Sequence, residues 1–148
     1  DLDGKFTGVS RFWGIDANAL KAELDVSYRY GTKLEASAKV GYHRWKTADG
    51  GETISYNRPQ WEGGVNIRYM PVRPFTLEAG YEFAAGREYS NLGKLSDIHL
   101  VHLKASYAFT SWFSLYGLTD NVLNRKYDIL YGMPAQGINF MFGVDLKF

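Results

Sequence analysis

The chain has 148 residues, which is about the length of one domain. Its 17 basic and 16 acidic side chains nearly balance, so the charge argues against nucleic acid as a partner. Because cysteine is absent, disulfides, thiolate metal sites and a cysteine nucleophile are excluded. The sequence has 11 tyrosines, 9 phenylalanines and 16 glycines but only 4 prolines, a usage typical of strands and tight turns, so an all-β fold is predicted for residues 1–148.

Apolar and polar residues alternate along most of the chain with the two-residue period of a strand. After a first strand predicted over residues 5–13, the stretch LKAELDVSYRY begins at Leu20 and the stretch KLEASAKVGYHRW begins at Lys33. Only Gly31 and Thr32 separate these two stretches, so they are expected to form a tight hairpin. No run of about 20 apolar residues occurs, and DLDGKFTG lacks the layout of a secretion signal, so neither a membrane helix nor a leader is predicted.

Five more strands are predicted: over residues 61–69, 75–83 and 101–109, from Phe113 onward, and over residues 137–148, which read GINFMFGVDLKF. The four prolines are assigned to connections, because proline cannot donate a backbone hydrogen bond to a sheet. Short connections at 31–32, 71–74 and 110–112 alternate with long ones at 46–60, 87–97 and 120–137. An up-and-down meander of about eight strands would place these long loops at one end, as transmembrane β-barrels do.

The apolar face of such a sheet could point toward lipid or into the core of a soluble barrel, because both have the same period. The alternating runs of about 11 to 14 residues are long enough for a tilted membrane crossing, which needs about 9 to 11. Aliphatic residues concentrate in the middle of the strands and aromatic residues toward both ends, which favours an antiparallel transmembrane β-barrel with two aromatic girdles. The predicted girdle residues are Trp13, Tyr28, Tyr30, Tyr42, Trp45, Trp61, Tyr69, Phe75, Phe109 and Trp112.

Residues 112–148, WFSLYGLTDNVLNRKYDILYGMPAQGINFMFGVDLKF, resemble the C-terminal end of TonB-dependent outer-membrane receptors. The family-motif positions in this loop are occupied by Asn121, Asn124, Tyr127, Pro134 and Gly137. The segment departs from the family at Val122 and Leu123, where Leu-Phe is common. The resemblance implies a bacterial outer-membrane location and a complete barrel of about 22 strands with an N-terminal plug, of which this chain would hold the last eight or so.

The same resemblance implies that the whole receptor imports a scarce nutrient, such as an iron-siderophore, haem, cobalamin or a glycan. The implied partners are outer-membrane lipid or lipopolysaccharide, the barrel-assembly machinery, the TonB complex in the full receptor, and the small nutrient ligand. Gly143, Leu146 and Phe148 lie at the spacing of the C-terminal assembly signal of outer-membrane proteins, with Met141 at the usually polar position.

No group of residues predicts an enzyme, and no catalytic, cofactor or metal site is expected. His99 and His102 are three residues apart, which in a strand places them on opposite faces and argues against a shared metal ion. Because ligands of a rigid barrel normally bind to its loops, five loop residues are candidate ligand contacts: Arg58, Arg87, Tyr89, Asp128 and Tyr131.

Two alternatives of a different class remain from the sequence. The first is a self-contained eight-stranded outer-membrane protein with a structural or adhesin role, which would close on itself as a small barrel. The second is a soluble ligand-binding β-barrel, which would turn the leucine, valine and tyrosine face inward.

Overall fold

A computed structural model describes residues 10–12, 17–47, 58–88 and 93–147, with side chains described for 20–44, 58–88 and 93–147. Every regular element of this part of the chain is a strand. The strands are β1 (Ser10–Phe12), β2 (Ala17–Tyr30), β3 (Leu34–Thr47), β4 (Trp61–Val72), β5 (Phe75–Ala85), β6 (Ile98–Ala108), β7 (Phe113–Asp120), β8 (Asp128–Leu130), β9 (Met133–Pro134) and β10 (Asn139–Leu146). These ranges contain no helix long and apolar enough to cross a membrane.

Eight strands form one antiparallel sheet in the order β1-β2-β3-β4-β5-β6-β7-β10. Each strand of this sheet therefore pairs with the next sheet strand along the chain, and the predicted up-and-down meander is confirmed. The remaining two strands, β8 and β9, form a small separate ladder within the connection from β7 to β10. Among the described residues, β1 and β10 are the edges of the large sheet and do not pair with each other, so the sheet is an open wall.

The register sorts the side chains of the sheet onto two faces. One row of the apolar face crosses β2 to β6 through Tyr28, Ala36, Ile67, Ala79 and Leu103. In each strand, the residues directly before and after these point to the other face, because side chains alternate along a strand. We call the apolar face the outer face and the polar one the inner face.

No second layer covers the outer face within the described part of the chain. Leu24 is 51% exposed, Ile67 is 43% exposed and Phe142 is 83% exposed. Among the described hydrophobic side chains, only Leu95, in the connection between β5 and β6, is buried. A soluble barrel would bury the apolar face in its interior. The bare outer face therefore favours the lipid-facing prediction over the soluble alternative.

The connections alternate in length as predicted. Short connections at 31–33, 73–74 and 109–112 lie at one end of the sheet, which we call the turn end. The strand ends joined by the long connections 48–60, 86–97 and 121–138 lie at the opposite end, which we call the loop end. At the first turn Gly31 has a φ of 55°, a left-handed conformation that glycine adopts without steric cost.

Two features of the sheet differ from the prediction. Pro71 and Pro134, both assigned to connections, lie in β4 and β9. The register of β4 and β5 shifts between Tyr69 and Val72, so the bulge keeps Pro71 out of the ladder, and Pro134 ends a strand of two residues. Proline is tolerated at bulges and strand ends because no ladder hydrogen bond is lost there. The β8–β9 ladder was not predicted, because it is too short to show a period.

Candidate functional site

Aromatic side chains lie on the outer face at both ends of the sheet. At the turn end, Tyr30 and Tyr69 are exposed, and the rings of Phe109 and Phe113 are 5.4 Å apart between centroids. At the loop end, the rings of Tyr42 and Trp61, opposite each other on β3 and β4, are 4.7 Å apart. Rings with a polar edge suit the boundary between lipid and water, so a role as membrane-interface girdles stays the prediction for them.

Other predicted girdle residues lie in the same two zones. Tyr28, Phe109 and Trp112 are exposed at the turn end, and Phe75 is half-buried there. Trp13 and the side chain of Trp45 lie outside what the structure describes.

The inner face carries a row of alternating charges across five strands. We call this row the charge ladder; its members are Arg29, Glu35, Arg68, Glu78 and Lys104. Glu35 accepts from Arg29 Nε at 3.0 Å and lies 4.0 Å from Arg68 Nη1, and Arg68 Nε lies 3.4 Å from Glu78. Each pair is solvent-accessible and contributes about 0 to 1 kcal/mol. Its three cations and two anions largely compensate each other, and the side chains remain accessible to water.

A cavity of about 860 Å³ lies against the charge ladder. Ser37, Asn66 and His102 add polar side chains to its lining, and the Nε2–H of His102 donates to Asn66 Oδ1 at 3.4 Å. A surface with donors and acceptors of both signs fits water or a polar partner better than an apolar ligand.

At the loop end, Arg87 connects two long loops. Its side chain is buried, with 3% of the residue exposed. The guanidinium donates to the carbonyl oxygen of Ser96 in its own loop, at 3.3 Å, and to those of Asp128 and Ile129 in the 121–138 loop, at 2.9 and 2.8 Å. One planar group with several donors thus joins the loop after β5 to the β8–β9 ladder.

The electrostatic environment of Arg87 is compatible with a charged guanidinium. Burial lowers the pKa of Arg87 from its usual value, while Tyr127, Asp128 and Asp97 shift the pKa upward. Arginine stays protonated under all conditions that proteins meet, so these hydrogen bonds are charge-assisted. Direct ligand contact by Arg87 stays a prediction, and the structure shows that its side chain organises the loops.

Three of the family-motif residues come together at the base of the 121–138 loop. The buried Asn121 donates from Nδ2 to the carbonyl oxygens of Arg125 and Gln136, at 2.9 and 3.2 Å. Its Oδ1 accepts from the backbone N–H of Arg125 at 2.8 Å. Asn124 Oδ1 accepts from the backbone N–H at residue 138, and a Cβ at Gly137 would lie 2.5 Å from that oxygen.

The backbone at these positions explains the residue types. Asn121 and Asn124 have φ angles of 50° and 48°, in the left-handed region that asparagine tolerates better than most residues. Side chain and backbone therefore act together, and they tie the start of the loop to its end. Tyr127 accepts a backbone hydrogen bond from Ala135 at 2.8 Å, which aligns the two sides of the loop.

The other loop candidates have different surroundings. Arg58 and Tyr131 are exposed, whereas Asp128 is half-buried and offers its carbonyl oxygen to Arg87. Tyr89 lies outside the described residues. Ligand contact by these side chains stays a prediction.

In the predicted assembly signal, Gly143 lies on the inner face opposite Tyr116, and Leu146 is exposed near the end of β10. Phe148 lies outside the described residues. The Tyr116 ring occupies the space that a Cβ at Gly143 would take, so glycine has a packing role at this position. Recognition of the segment as an assembly signal stays a prediction.

The histidines of β6 lie on opposite faces, as predicted. His99 Nδ1 is hydrogen-bonded to the Tyr81 hydroxyl at 2.8 Å on the outer face, while His102 faces the inner cavity. On the inner face, His43 lies beside Glu23 and Glu62, a grouping that the sequence did not predict. Gly41 lies between the two glutamates in the register, and a glycine at this position of a strand is the sequence signal that could have indicated the grouping.

No family model and no curated protein matches the chain. Solved structures do match it in fold. A chain of the FpvAI–pyocin S2 complex superposes with a TM-score of 0.76 at 20% identity, covering 90% of this chain and 20% of that one. The ferripyoverdine receptor of the outer membrane of Pseudomonas aeruginosa, bound to ferripyoverdine, matches with a TM-score of 0.72 at 19% identity over 89% of this chain and 20% of that one.

The copper transporter OprC matches with a TM-score of 0.71 at 18% identity, covering 90% of this chain and 24% of that one. The chain therefore spans a fifth to a quarter of the length of these proteins. At this level of identity the matches establish the fold, which is the wall of an outer-membrane β-barrel. The predicted resemblance is therefore confirmed for the fold. Membership of the TonB-dependent receptor family and an outer-membrane location stay predictions for this chain.

Proposed function

We propose that this chain forms part of the barrel of a TonB-dependent outer-membrane receptor that imports a scarce nutrient. The observation that carries the proposal is the fold, in which an antiparallel wall with a bare apolar outer face has its long loops at one end. The family motif at residues 121–137 gives independent support, because its asparagines shape one of those long loops.

A chelated metal is the first nutrient class to test, since the proteins of similar fold include a receptor bound to ferripyoverdine and a copper transporter. Haem, cobalamin and glycans remain the other candidates. The nutrient would enter from the loop end, where the Arg87 side chain holds two of the long loops together. Outer-membrane lipid or lipopolysaccharide would cover the outer face, the barrel-assembly machinery would insert the protein, and the TonB complex would supply energy to the whole receptor.

Uptake in cells tests this function directly. The gene encoding the chain would be deleted and restored, and uptake of radiolabelled ferric siderophores, copper, haem, cobalamin and oligosaccharides would be measured. We expect uptake of one class to fall at least tenfold on deletion, and to fall equally in restored cells that lack TonB. Uptake that does not change on deletion, or that continues without TonB, would contradict the proposal.

The self-contained eight-stranded barrel receives no support from the sheet. Closure would require β1 to pair with β10, and in the described residues β1 pairs only with β2 while β10 pairs only with β7. The mass of the native protein in detergent, compared with that of a single copy of this chain, distinguishes a small closed barrel from a larger one.

A further inference from the structure

Three polar side chains meet on the inner face close to the loop end. They come from three adjacent strands: Glu23 from β2, His43 from β3 and Glu62 from β4. One ligand atom of each lies within 4.8 Å of the others. In the register, Glu23 lies opposite Gly41 and Gly41 lies opposite Glu62, while His43 follows two residues later on the same face.

His43 is held in place within this group. Only 9% of the residue is exposed, and its backbone N–H donates to the carbonyl oxygen of Gln60 at 2.8 Å. Its Nε2 lies 3.1 Å from Glu62 Oε1. The imidazole therefore points at the carboxylates, and a fixed ligand loses little conformational entropy when it binds an ion.

Gly41 leaves the space between the three side chains open. A Cβ at this position would lie 3.2 Å from His43 Nε2, 3.5 Å from Glu62 Cγ and 3.7 Å from Glu23 Cγ. Any larger residue would therefore extend between the ligand atoms. A cavity of about 380 Å³ opens onto the same place, with Glu23, Gly41 and Glu62 in its lining, so an ion and its water ligands have access.

The local charge favours a cation. The cavity lining contains four carboxylates and one lysine, namely Glu23, Asp25, Glu62, Glu82 and Lys39. Lys21 forms an ion pair with Glu23 at 2.5 Å, and the four carboxylates still outnumber the two lysines, Lys21 and Lys39.

We propose that Glu23, His43 and Glu62 form a binding site for a divalent transition-metal ion, with Zn²⁺ as its representative. One imidazole nitrogen and two carboxylate oxygens, with water in the remaining position, is a donor set that suits such ions. Ligand atoms around tetrahedral zinc lie about 3.4 Å apart, given bonds of about 2.1 Å. His43 Nε2 and Glu62 Oε1, 3.1 Å apart, are already close to this separation, and the open space at Gly41 lets the Glu23 carboxylate approach.

This site goes beyond nutrient import and does not depend on it. An ion there would join β2, β3 and β4 at the ends that carry the long loops. In the ion-free protein the Nε2–H of His43 donates to Glu62; when the ion binds Nε2, it replaces that proton, and Nδ1 carries the hydrogen of the neutral ring.

Zinc binding to the intact protein tests the inference. The protein would be purified from outer membranes in detergent, stripped with a chelator and titrated with zinc chloride by calorimetry. We expect one saturable site, with affinity reduced at least tenfold by Glu23→Gln, His43→Gln or Glu62→Gln. Glu82→Gln is the matched control, because it removes the same charge from the same cavity and leaves the three ligands; its affinity should stay within threefold of the wild type.

Two further measurements separate the site from a folding defect. Heat-modifiable migration on gels shows whether each variant forms a barrel, and the melting temperature of the wild type should rise with zinc while that of His43→Gln should not. The visible absorption of bound Co²⁺ should change in His43→Gln, since a nitrogen ligand is lost. No saturable zinc site in the wild type, or an equal loss of affinity in Glu82→Gln, would overturn the proposal; loss of nutrient uptake alone would not bear on it.

Discussion

Arg87 shows how one side chain can organise two loops that are distant in the sequence. Its guanidinium reaches carbonyl oxygens 41 and 42 residues further along the chain. The buried guanidinium needs these acceptors, because an unsatisfied buried polar group costs about 1 to 3 kcal/mol. The planar fork of arginine serves several acceptors at once, which the point charge of lysine does with poorer geometry.

Replacement of the Arg87 guanidinium should lower the local stability of both loops. In Arg87→Lys, amide hydrogen exchange in residues 86–88 and 128–130 should speed up by about tenfold or more, equivalent to a loss of about 1.4 kcal/mol or more of local stability. The exposed Arg58 gives the matched control, because Arg58→Lys makes the same chemical change in another long loop. If Arg87→Lys abolished ligand binding without changing exchange, its role would be ligand contact instead.

Asn121 and Asn124 share a backbone conformation but use different side-chain atoms. The buried Asn121 uses both its amide nitrogen and its oxygen, whereas the hydrogen bond observed for Asn124 uses only the oxygen. We predict that Asn121→Asp destabilises the loop by about 2 to 3 kcal/mol, because two carbonyl acceptors lose their donor and meet a negative charge. Asn124→Asp keeps its acceptor and should cost less than about 1 kcal/mol. Limited proteolysis within residues 121–138 would measure both, and equal cleavage rates in the two variants would contradict this account.

At the scale of strands, glycines of the sheet lie opposite rings. In four cross-strand pairs a ring lies against the glycine: Gly63 with Phe83, Gly80 with His102, Gly117 with Phe142, and Gly143 with Tyr116. A Cβ would clash with the ring in the first, second and fourth pairs and would lie 3.1 Å from it in the third. A ring laid over a glycine covers the exposed backbone and helps to fix the register of the two strands. Two of these pairs lie on the outer face and two on the inner face, so rings pack over glycines on both sides of the sheet.

The pair of Gly143 and Tyr116 gives a test of this packing. A methyl group in Gly143→Ala would displace the Tyr116 ring, over which the Lys104 ammonium lies at 5.4 Å. We expect a loss of about 1 to 3 kcal/mol in the free energy of unfolding, as for other overpacked sites. Combined with Tyr116→Leu, the same change should cost less than the sum of the two single variants. Additive losses in denaturant titration would show that the ring and the glycine are not coupled.

The period of two is strong enough in this sequence to predict strands and faces, but it does not predict register across long loops. The strand predicted at 75–83 lies within Phe75–Ala85, and that at 61–69 lies within Trp61–Val72. The approach of His43 to Glu62 depends on how the 48–60 connection aligns β3 with β4, which no local pattern specifies. The burial of Arg87 likewise depends on two loops meeting in space, and its sequence context is that of an ordinary exposed loop.

At the scale of the whole molecule, we expect the sheet to form a boundary between lipid and water. The outer face offers aliphatic side chains at mid-strand and aromatic ones at the ends, while the inner face carries the charge ladder. Neither face has a hydrophobic core beneath it in the described residues. In the proposed receptor, the wall would be stabilised by its ladder hydrogen bonds and by lipid around the outer face. The same sheet in water would expose its largest apolar surface.

Neighbouring residues of β4 allow that dependence on lipid to be measured. Ile67 lies at mid-strand on the outer face, and Asn66 lies beside it on the inner face, against the large cavity. A lysine facing the bilayer midplane costs about 2 to 4 kcal/mol, whereas one that faces water costs little. We therefore predict that Ile67→Lys lowers the free energy of unfolding in lipid vesicles by about 2 to 4 kcal/mol and Asn66→Lys by less than about 1 kcal/mol. The same Ile67→Lys protein should lose less in a thin-bilayer lipid, since the shorter apolar path lets the ammonium reach water. Equal losses for the two lysine variants would mean that lipid does not contact the face assigned to it.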